Sequence, residues 1–322
     1  MNKSAQPNRK TGRMVTKNLI VLFTLAVVCF VGIYSWFTNN ATATAKGIGV
    51  RCEAPDGVEI AAVEHGQKPI DSDFKTTFEL DESGFLAKLS MKEITSDGVN
   101  FYSPKLTQTN GKAQPDESQD WSHSEAGVDY LCFDLYMRTK NPRSIYLSSN
   151  TNVETVDSVL TWTGNNTLCD NPSTYGAFSR DCMVGATRFS INSSENVSKL
   201  KWITRPDIYL QQNDSDYSVL TNLTTNEYKT YEHNYWNVNY IDGVQTKTLI
   251  HNADGFVANG KQLGEKQEIA TADDFGDEAT LDKDYKYSYV VVNLWVEGED
   301  AEARLALSGG KFKLNLFLEG NL

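Results

Sequence analysis

Apolar and polar positions alternate with period two through most of this chain. In "YLCFDLYMR" (Tyr130–Arg138), Leu131, Phe133, Leu135 and Met137 fall on one side, with Cys132, Asp134 and Tyr136 on the other. In "YKYSYVVVNLWVEG" (Tyr285–Gly298), Val290, Val292, Leu294 and Val296 share one face, and Tyr287, Tyr289, Val291 and Trp295 share the opposite one. "KFKLNLFLEG" repeats the pattern through Phe312, Leu314, Leu316 and Leu318. Successive side chains of an extended strand point to opposite sides, so alternation in β-branched and aromatic residues predicts half-buried strands. Tyrosine and tryptophan on the second face imply that a loop partly covers it or that it meets a partner. Turn signals such as "PDG" at 55–57 and "SGG" at 308–310 separate shorter candidates, among them "GIGVRCEA", "GVEIAAV", "VGATRFSI" and "SKLKWI". With no βαβ rhythm, the pattern predicts an all-β, jelly-roll-like antiparallel β-sandwich.

The N-terminus breaks this pattern. Lys3, Arg9, Lys10, Arg13 and Lys17 precede an uncharged run from Leu19 to Phe37. As a helix this run would extend roughly 28 Å, close to the ~30 Å of a hydrocarbon core. The basic flank keeps the N-terminus in the cytoplasm and sends the rest of the chain outside. The expected organisation is a basic cytoplasmic tail over 1–18, a transmembrane or signal helix over 19–37, a linker over 38–46, and an exported sandwich over 47–322. Ala41, Ala43 and Ala45 supply two overlapping Ala-x-Ala triplets, the small-residue pattern of signal cleavage. The protein is therefore either single-pass, held to the bilayer through 19–37, or secreted after cleavage. Within the exported part, a polar loop over 103–127 and an insertion over 206–284, rich in Asn, Asp, Thr and Tyr, interrupt the strands.

Charge narrows the partners. The chain has a net charge of −12; setting the five basic residues of the tail aside leaves 25 of its 30 basic residues against 42 acidic ones, a net −17 outside. So acidic a surface repels nucleic acid, and no basic patch offsets it. Cys29 lies in the apolar run, which leaves Cys52, Cys132, Cys169 and Cys182 in an oxidising location with three pairings open. Cys169 and Cys182 flank a turn-rich loop, so the expected bridges are Cys169–Cys182 and Cys52–Cys132; buried free thiols are the plainer alternative.

Candidate chemistry is sparse. The sequence contains no HExxH, G-x-S-x-G, Walker loop or dinucleotide fingerprint. His65, His123, His233 and His251 are scattered without metal spacing, which reads as solvated or satisfied loop residues. Two acidic stretches could offer oxygens to calcium: "ATADDFGDEATLDKDYK" with Asp273, Asp274 and Asp277, and "WVEGEDAEAR" with Glu297 and Asp300. Neither has EF-hand spacing, and the plainer alternatives are a solvated loop and a charged turn blunting a sheet end. No other cofactor is indicated. In "EYKTYEHNYWNVNY", Tyr231, Tyr235, Trp236 and Tyr240 suit a ligand platform for sugar stacking or protein contact; core packing is the alternative.

Several segments resemble one family. "GIYSWFT" (Gly32–Thr38) is similar to the signal-segment ending of TasA/camelysin-like exported proteins of Gram-positive bacteria. "KGIGVRCEAPDGVEIA", "GATRFSI", "KLKWITRPDIYL" and "VVVNLWVEGEDAEARLALSGGKFKLNLFLEG" resemble segments of uncharacterised clostridial relatives. The resemblance covers about a third of the chain. It implies a jelly-roll fold, removal of the leader near the aromatic-Phe-Thr ending, and a place in the envelope or biofilm matrix, with assembly into fibres in some members. Where such relatives often carry a cysteine, this chain has "AEAR". A protease activity described for camelysin has no residues here to carry it. The resulting expectation is a non-enzymatic structural or adhesive protein, assembling through sheet edges with itself or other surface proteins. The alternative is a tethered surface module that binds glycans or peptides through 206–284; a hydrolase would need a carboxylate pair across a groove.

Overall fold

The computed structural model describes residues 48–80, 84–109, 112–155, 161–162, 178–213, 216–220, 223–224, 227, 233–251, 255–300, 303 and 311–321. All of them belong to one compact unit, Thr42–Leu322. The basic tail, the apolar run over 19–37, the linker, Cys169 and Tyr231 lie outside the described residues. Among the described residues no helix is long and apolar enough to cross a membrane.

The strands are, in order, β1 (Ile48–Glu53), β2 (Val58–Glu64), β3 (Thr77–Leu80), β4 (Glu93–Ser96), β5 (Phe101–Ser103), β6 (Leu106–Thr109), β7 (Lys112–Pro115) and β8 (Ser122–His123). Then come β9 (Leu131–Thr139), β10 (Ile145–Leu147), β11 (Asn152–Thr155), β12 (Thr161–Trp162), β13 (Phe178–Ser179), β14 (Thr187–Ser193) and β15 (Ser198–Ile203). The last seven are β16 (Tyr209–Asn213), β17 (Asp216–Leu220), β18 (Tyr235–Ile241), β19 (Val244–Ile250), β20 (Gln267–Ala270), β21 (Lys286–Glu297) and β22 (Phe312–Gly320). The helical elements joining them are short 3-10 turns such as Gly84–Lys88 and Ala272–Asp274.

Two large sheets share one core. The first runs β20-β10-β22-β1-β3, with β11 also on β22. In the second, β21 lies between β14 and β9, with β15 and β2 outside them; at its C-terminal end β21 also takes β4, which leads to β5 and β8. The residues predicted to face inward do so. Leu131, Phe133, Leu135 and Met137 of β9 and Val290, Val292, Leu294 and Val296 of β21 meet Phe312, Leu314, Leu316 and Leu318 of β22 in one apolar cluster. The all-β expectation thus holds. The uniformly antiparallel one does not, because β1 runs parallel to β22 and β4 parallel to β21. Neither pair is joined by a hairpin, and only a hairpin forces neighbouring strands to run antiparallel.

The second face of β9 and β21 is covered as well. Ile94, Phe101, Tyr130, Cys132, Val291 and Trp295 form a separate cluster, in which Phe101 stacks on Tyr130 at 4.0 Å and meets Trp295 edge-on at 5.3 Å. Ile94 of β4 and Phe101 of β5 supply cover just ahead of the polar loop expected over 103–127. Its hairpin β6–β7 and strand β8 carry polar surface, yet Trp121 is buried.

The expected Cys52–Cys132 bridge is absent, and both thiols are free and buried. Cys52 sits in the core between the sheets, whereas Cys132 lies on the far side of the second sheet, opposite its neighbours Leu131 and Phe133. Period-two geometry puts a whole sheet between them. The side chain of Cys182 and all of Cys169 lie outside the described residues.

Two outcomes follow. Alkylating the native chain without reductant is expected to leave Cys52 and Cys132 unmodified, since burial raises both thiols far above their ordinary range. After unfolding without reductant, peptide mass spectrometry should find both alkylated; a Cys52–Cys132 disulfide peptide would overturn the assignment. Strand β22 pairs with β1, β10 and β11 and buries four large side chains. Each is worth ~1.5–3 kcal/mol, together comparable to the ~5–15 kcal/mol that holds a typical domain. Truncation after Gly310 is therefore expected to abolish cooperative thermal unfolding, and a soluble truncate with a sharp melting transition would contradict this role.

Candidate functional site

The aromatic residues of the 206–284 segment build an arm, not an open platform. Strands β18 and β19 pair from Tyr235↔Ile250 to Ile241↔Val244, leaving the two-residue loop Asp242-Gly243. Both loop residues have positive φ, 51° and 80°, the conformation that Asp-Gly adopts at low cost in a hairpin turn. Tyr235 and Trp236, expected on an exposed platform, are only 7% and 9% exposed. Each fixes the arm at its base. Trp236 meets Trp121 edge-on at 5.6 Å in a cluster with Tyr102 and Val238, and its backbone N–H donates to Thr95 Oγ1 at 2.8 Å. Tyr235 packs with Ile203 and, at 5.4 Å, with Phe256.

Gln245 adds a two-point clamp. Its Oε1 accepts from the Trp121 backbone N–H at 2.7 Å, and its Nε2 donates to the Trp121 carbonyl at 3.0 Å. The Lys247 ammonium sits 5.4 Å from the Trp121 ring centroid. Gln245 pairs with Tyr240 and its Nε2 also donates to the Tyr240 hydroxyl at 3.0 Å, so the clamp lies next to the tip, where Tyr240, Ile241 and Val244 are 56%, 60% and 64% exposed. Of the proposed platform residues that are described, Tyr240 is the one that faces solvent, and it does so beside two aliphatic side chains.

Charged groups are buried at the arm's foot. Arg188 of β14 is ion-paired with Asp300, just past β21, and both are almost fully buried. His233, two residues before β18, places Nδ1 3.3 Å from Asp300 Oδ2 and 3.5 Å from Arg188 Nη2. Glu297, completely buried, accepts at Oε2 from the Ser96 N–H at 3.2 Å and from Trp295 Nε1 at 3.1 Å. Burial raises the Glu297 carboxyl to about 8, against the pull of Thr95, Trp295 and Arg188. Burial also lowers His233 to about 3, with Arg188 adding to the shift. Glu297 therefore stays protonated through neutral pH and His233 stays neutral. The charged turn expected at "WVEGEDAEAR" ends β21, but its Glu297 and Asp300 are buried, and the loop residue His233 is buried with them, its Nδ1 against Asp300. Arg188 inside the alternating "GATRFSI" was the available signal, because a charge in a buried strand needs a partner.

The calcium candidates do not converge. Asp273 is exposed, Asp274 accepts from the Thr271 N–H and hydroxyl at 2.7 and 3.0 Å, and Asp277 pairs with Lys286 at 2.7 Å. Lys286 begins β21 and Glu297 ends it, which separates the two acidic sets by roughly 35 Å at ~3.3 Å per residue. Among the described residues, no group of three or more His, Cys, Asp or Glu side chains is placed to hold a metal ion. His65 donates or accepts at 2.7 Å with the buried Asp134, whose Oδ2 also accepts from the Gly66 N–H at 2.9 Å; this pair ties the end of β2 to β9.

No family model, curated protein or solved structure matches the chain.

The buried carboxyl and imidazole set opposite pH dependences. Glu297, raised from 4.5 to about 8, contributes stability that is complete below pH 4.5 and is lost as pH rises through 8. His233, lowered from 6.5 to about 3, contributes stability that is complete above pH 6.5 and is lost as pH falls through 3. Relative to a Glu297→Gln variant, the wild-type melting temperature is expected to fall steadily between pH 4.5 and 8. Parallel melting curves for the two proteins across that range would show that Glu297 is not held protonated.

Proposed function

We propose that this chain is an exported, non-enzymatic protein of the cell envelope or extracellular matrix, structural or adhesive in role, that contacts other surface proteins or further copies of itself through the tip of the β18–β19 arm. The observation that carries this reading is the tip itself. Single exposed apolar side chains, such as Ile70 and Val197, are ordinary on a protein surface. Tyr240, Ile241 and Val244 instead crowd within five residues at the end of a braced projection. A rigid aromatic anchor flanked by aliphatics suits a protein pocket, because little conformational freedom is lost on docking.

Strand addition at sheet edges is the less favoured route. The edge strand β3 is four residues long, and its Glu79 pairs with Lys313 at 3.2 Å. The open side of β2 is met by Lys75, which exchanges two backbone hydrogen bonds with Ile60, and that of β15 by Val257. Short, charged or covered edges resist pairing with another chain. In this reading the two sheets form a jelly-roll-like sandwich. The resemblance of the leader to TasA/camelysin-like signal segments supports export, with the apolar run either kept as an anchor or removed.

The test is a Tyr240→Ser, Ile241→Ser, Val244→Thr variant expressed in a Gram-positive host. All three side chains are exposed, so the melting temperature should stay within about 2 °C of wild type. Retention in the envelope or matrix fraction, and any self-association seen by sedimentation velocity, should drop. Unchanged retention and sedimentation would sink the proposal.

A further inference from the structure

The other end of β21 carries a cleft that the arm does not use. Strand β14 leaves β21 at the pair Ser193↔Val290, where the Ser193–Val197 turn carries the chain back into β15. Further toward the start of β21, on the same edge, the 271–284 loop takes over. Gly276 donates to the Tyr287 carbonyl at 2.9 Å and accepts from the Tyr287 N–H at 2.8 Å. Between these two pairings the ladder opens over Ser288 and Tyr289. Backbone groups of alternate residues face the same edge of a strand, so Tyr289, two residues from Tyr287, turns its N–H and C=O into this opening. The opening is a cleft of about 240 Å³, lined by Ser193 and Lys199 of the β14–β15 hairpin, Ser288 and Tyr289 of β21, and Asp277 and Glu278 of the 271–284 loop.

Three features define the ligand. Its size is the first: the cleft is smaller than the roughly 300–1,000 Å³ that encloses a drug-sized molecule, which leaves room for one ring. Charge is the second. Asp277 pairs with Lys286 at 2.7 Å, Glu278 with Lys68 at 2.9 Å, and Asp274 approaches Lys199 at 3.9 Å. Each carboxylate is compensated and held in place, so the cleft offers oriented acceptors without a net field that would select a cation. The third is the wall. Tyr289 stacks on the buried Tyr136 at 4.8 Å and 18°, which fixes a flat aromatic surface beside the strand's own donor and acceptor. An aromatic face bordered by carboxylate and amide groups suits a ring with one apolar face and a rim of hydroxyls.

The geometry points to this cleft as a binding site for one neutral sugar ring, a hexose or N-acetylhexosamine unit, with Tyr289 beneath it and Asp277 and Glu278 accepting from its hydroxyls. The site stands apart from the arm, so the protein would hold a glycan at one end of β21 and a protein partner at the other.

Saturation-transfer NMR on the full chain tests this, with methyl α-glucoside, methyl α-mannoside and N-acetylglucosamine each at about 10 mM, a range set for weak, millimolar binding. At least one should receive transfer, and the signal should fall roughly tenfold in both Tyr289→Ala and Asp277→Ala, the loss of one good contact. Asp277 is surface-exposed, so that variant keeps its fold even if the tyrosine change disturbs packing. The variant altered at Tyr240, Ile241 and Val244 should bind sugar as wild type does, which separates this site from the arm. No transfer from any of the three sugars would overturn the proposal. So would transfer that survives Asp277→Ala, or a response confined to lysine methyl ester run as a cationic control.

Discussion

Strand β21 is buried on both faces, and most of the architecture answers to that fact. Twelve residues long, it pairs with β14, β9 and β4 in turn and with Gly276 near its start. Its inner face builds the core against β22. Its outer face, with Trp295 and Val291, would expose a large apolar patch if left bare, so the β4–β5 region and the foot of the arm must lie across it. Polar groups buried along this strand are each partnered, as Asn293 is by Ser190 in the middle and Glu297 by Ser96 and Trp295 at one end. The other end opens between β14 and the 271–284 loop.

The charges at the foot of the arm are poor stabilisers for their number. Removing an ion pair such as Arg188–Asp300 from water costs about as much as the attraction returns, whereas removing one partner alone costs ~3–5 kcal/mol. Their effect is on placement. His233 sits where chain entering β18 meets Arg188 and Asp300, so the arm has one low-energy seat, and the Thr95 and Gln245 hydrogen bonds fix its direction from two further elements. Apolar packing of Tyr235 and Trp236 alone would tolerate sliding; a buried imidazole beside a buried guanidinium does not.

This bracing gives the apolar tip a fixed position relative to the sandwich. A loosely attached hairpin with Tyr240, Ile241 and Val244 at its end would fold back and hide them, since burying each is worth ~1.5–3 kcal/mol. Here the Asp242-Gly243 turn and the clamp on Trp121 hold the strands straight, and the three side chains remain presented.

The sequence by itself determined the strands and their two-faced character. Alternation in β9, β21 and β22 is a local property of neighbouring side chains, and so is the preference of Asp-Gly for a tight hairpin. Both survive folding unchanged. Which face met which partner was not local. Cys52 and Cys132 read as a bridge until the sheets placed one in the core and the other behind the second sheet. Tyr235 and Trp236 read as a platform until Ile203 and Phe256 packed on the first and Tyr102 and Trp121 on the second. Glu297 and Asp300 read as a charged turn blunting a sheet end, whereas the chain 112 residues before Asp300 supplies the arginine it is buried against. Burial, pairing direction and charge compensation depend on segments far apart in the chain, and the tertiary structure alone decided them.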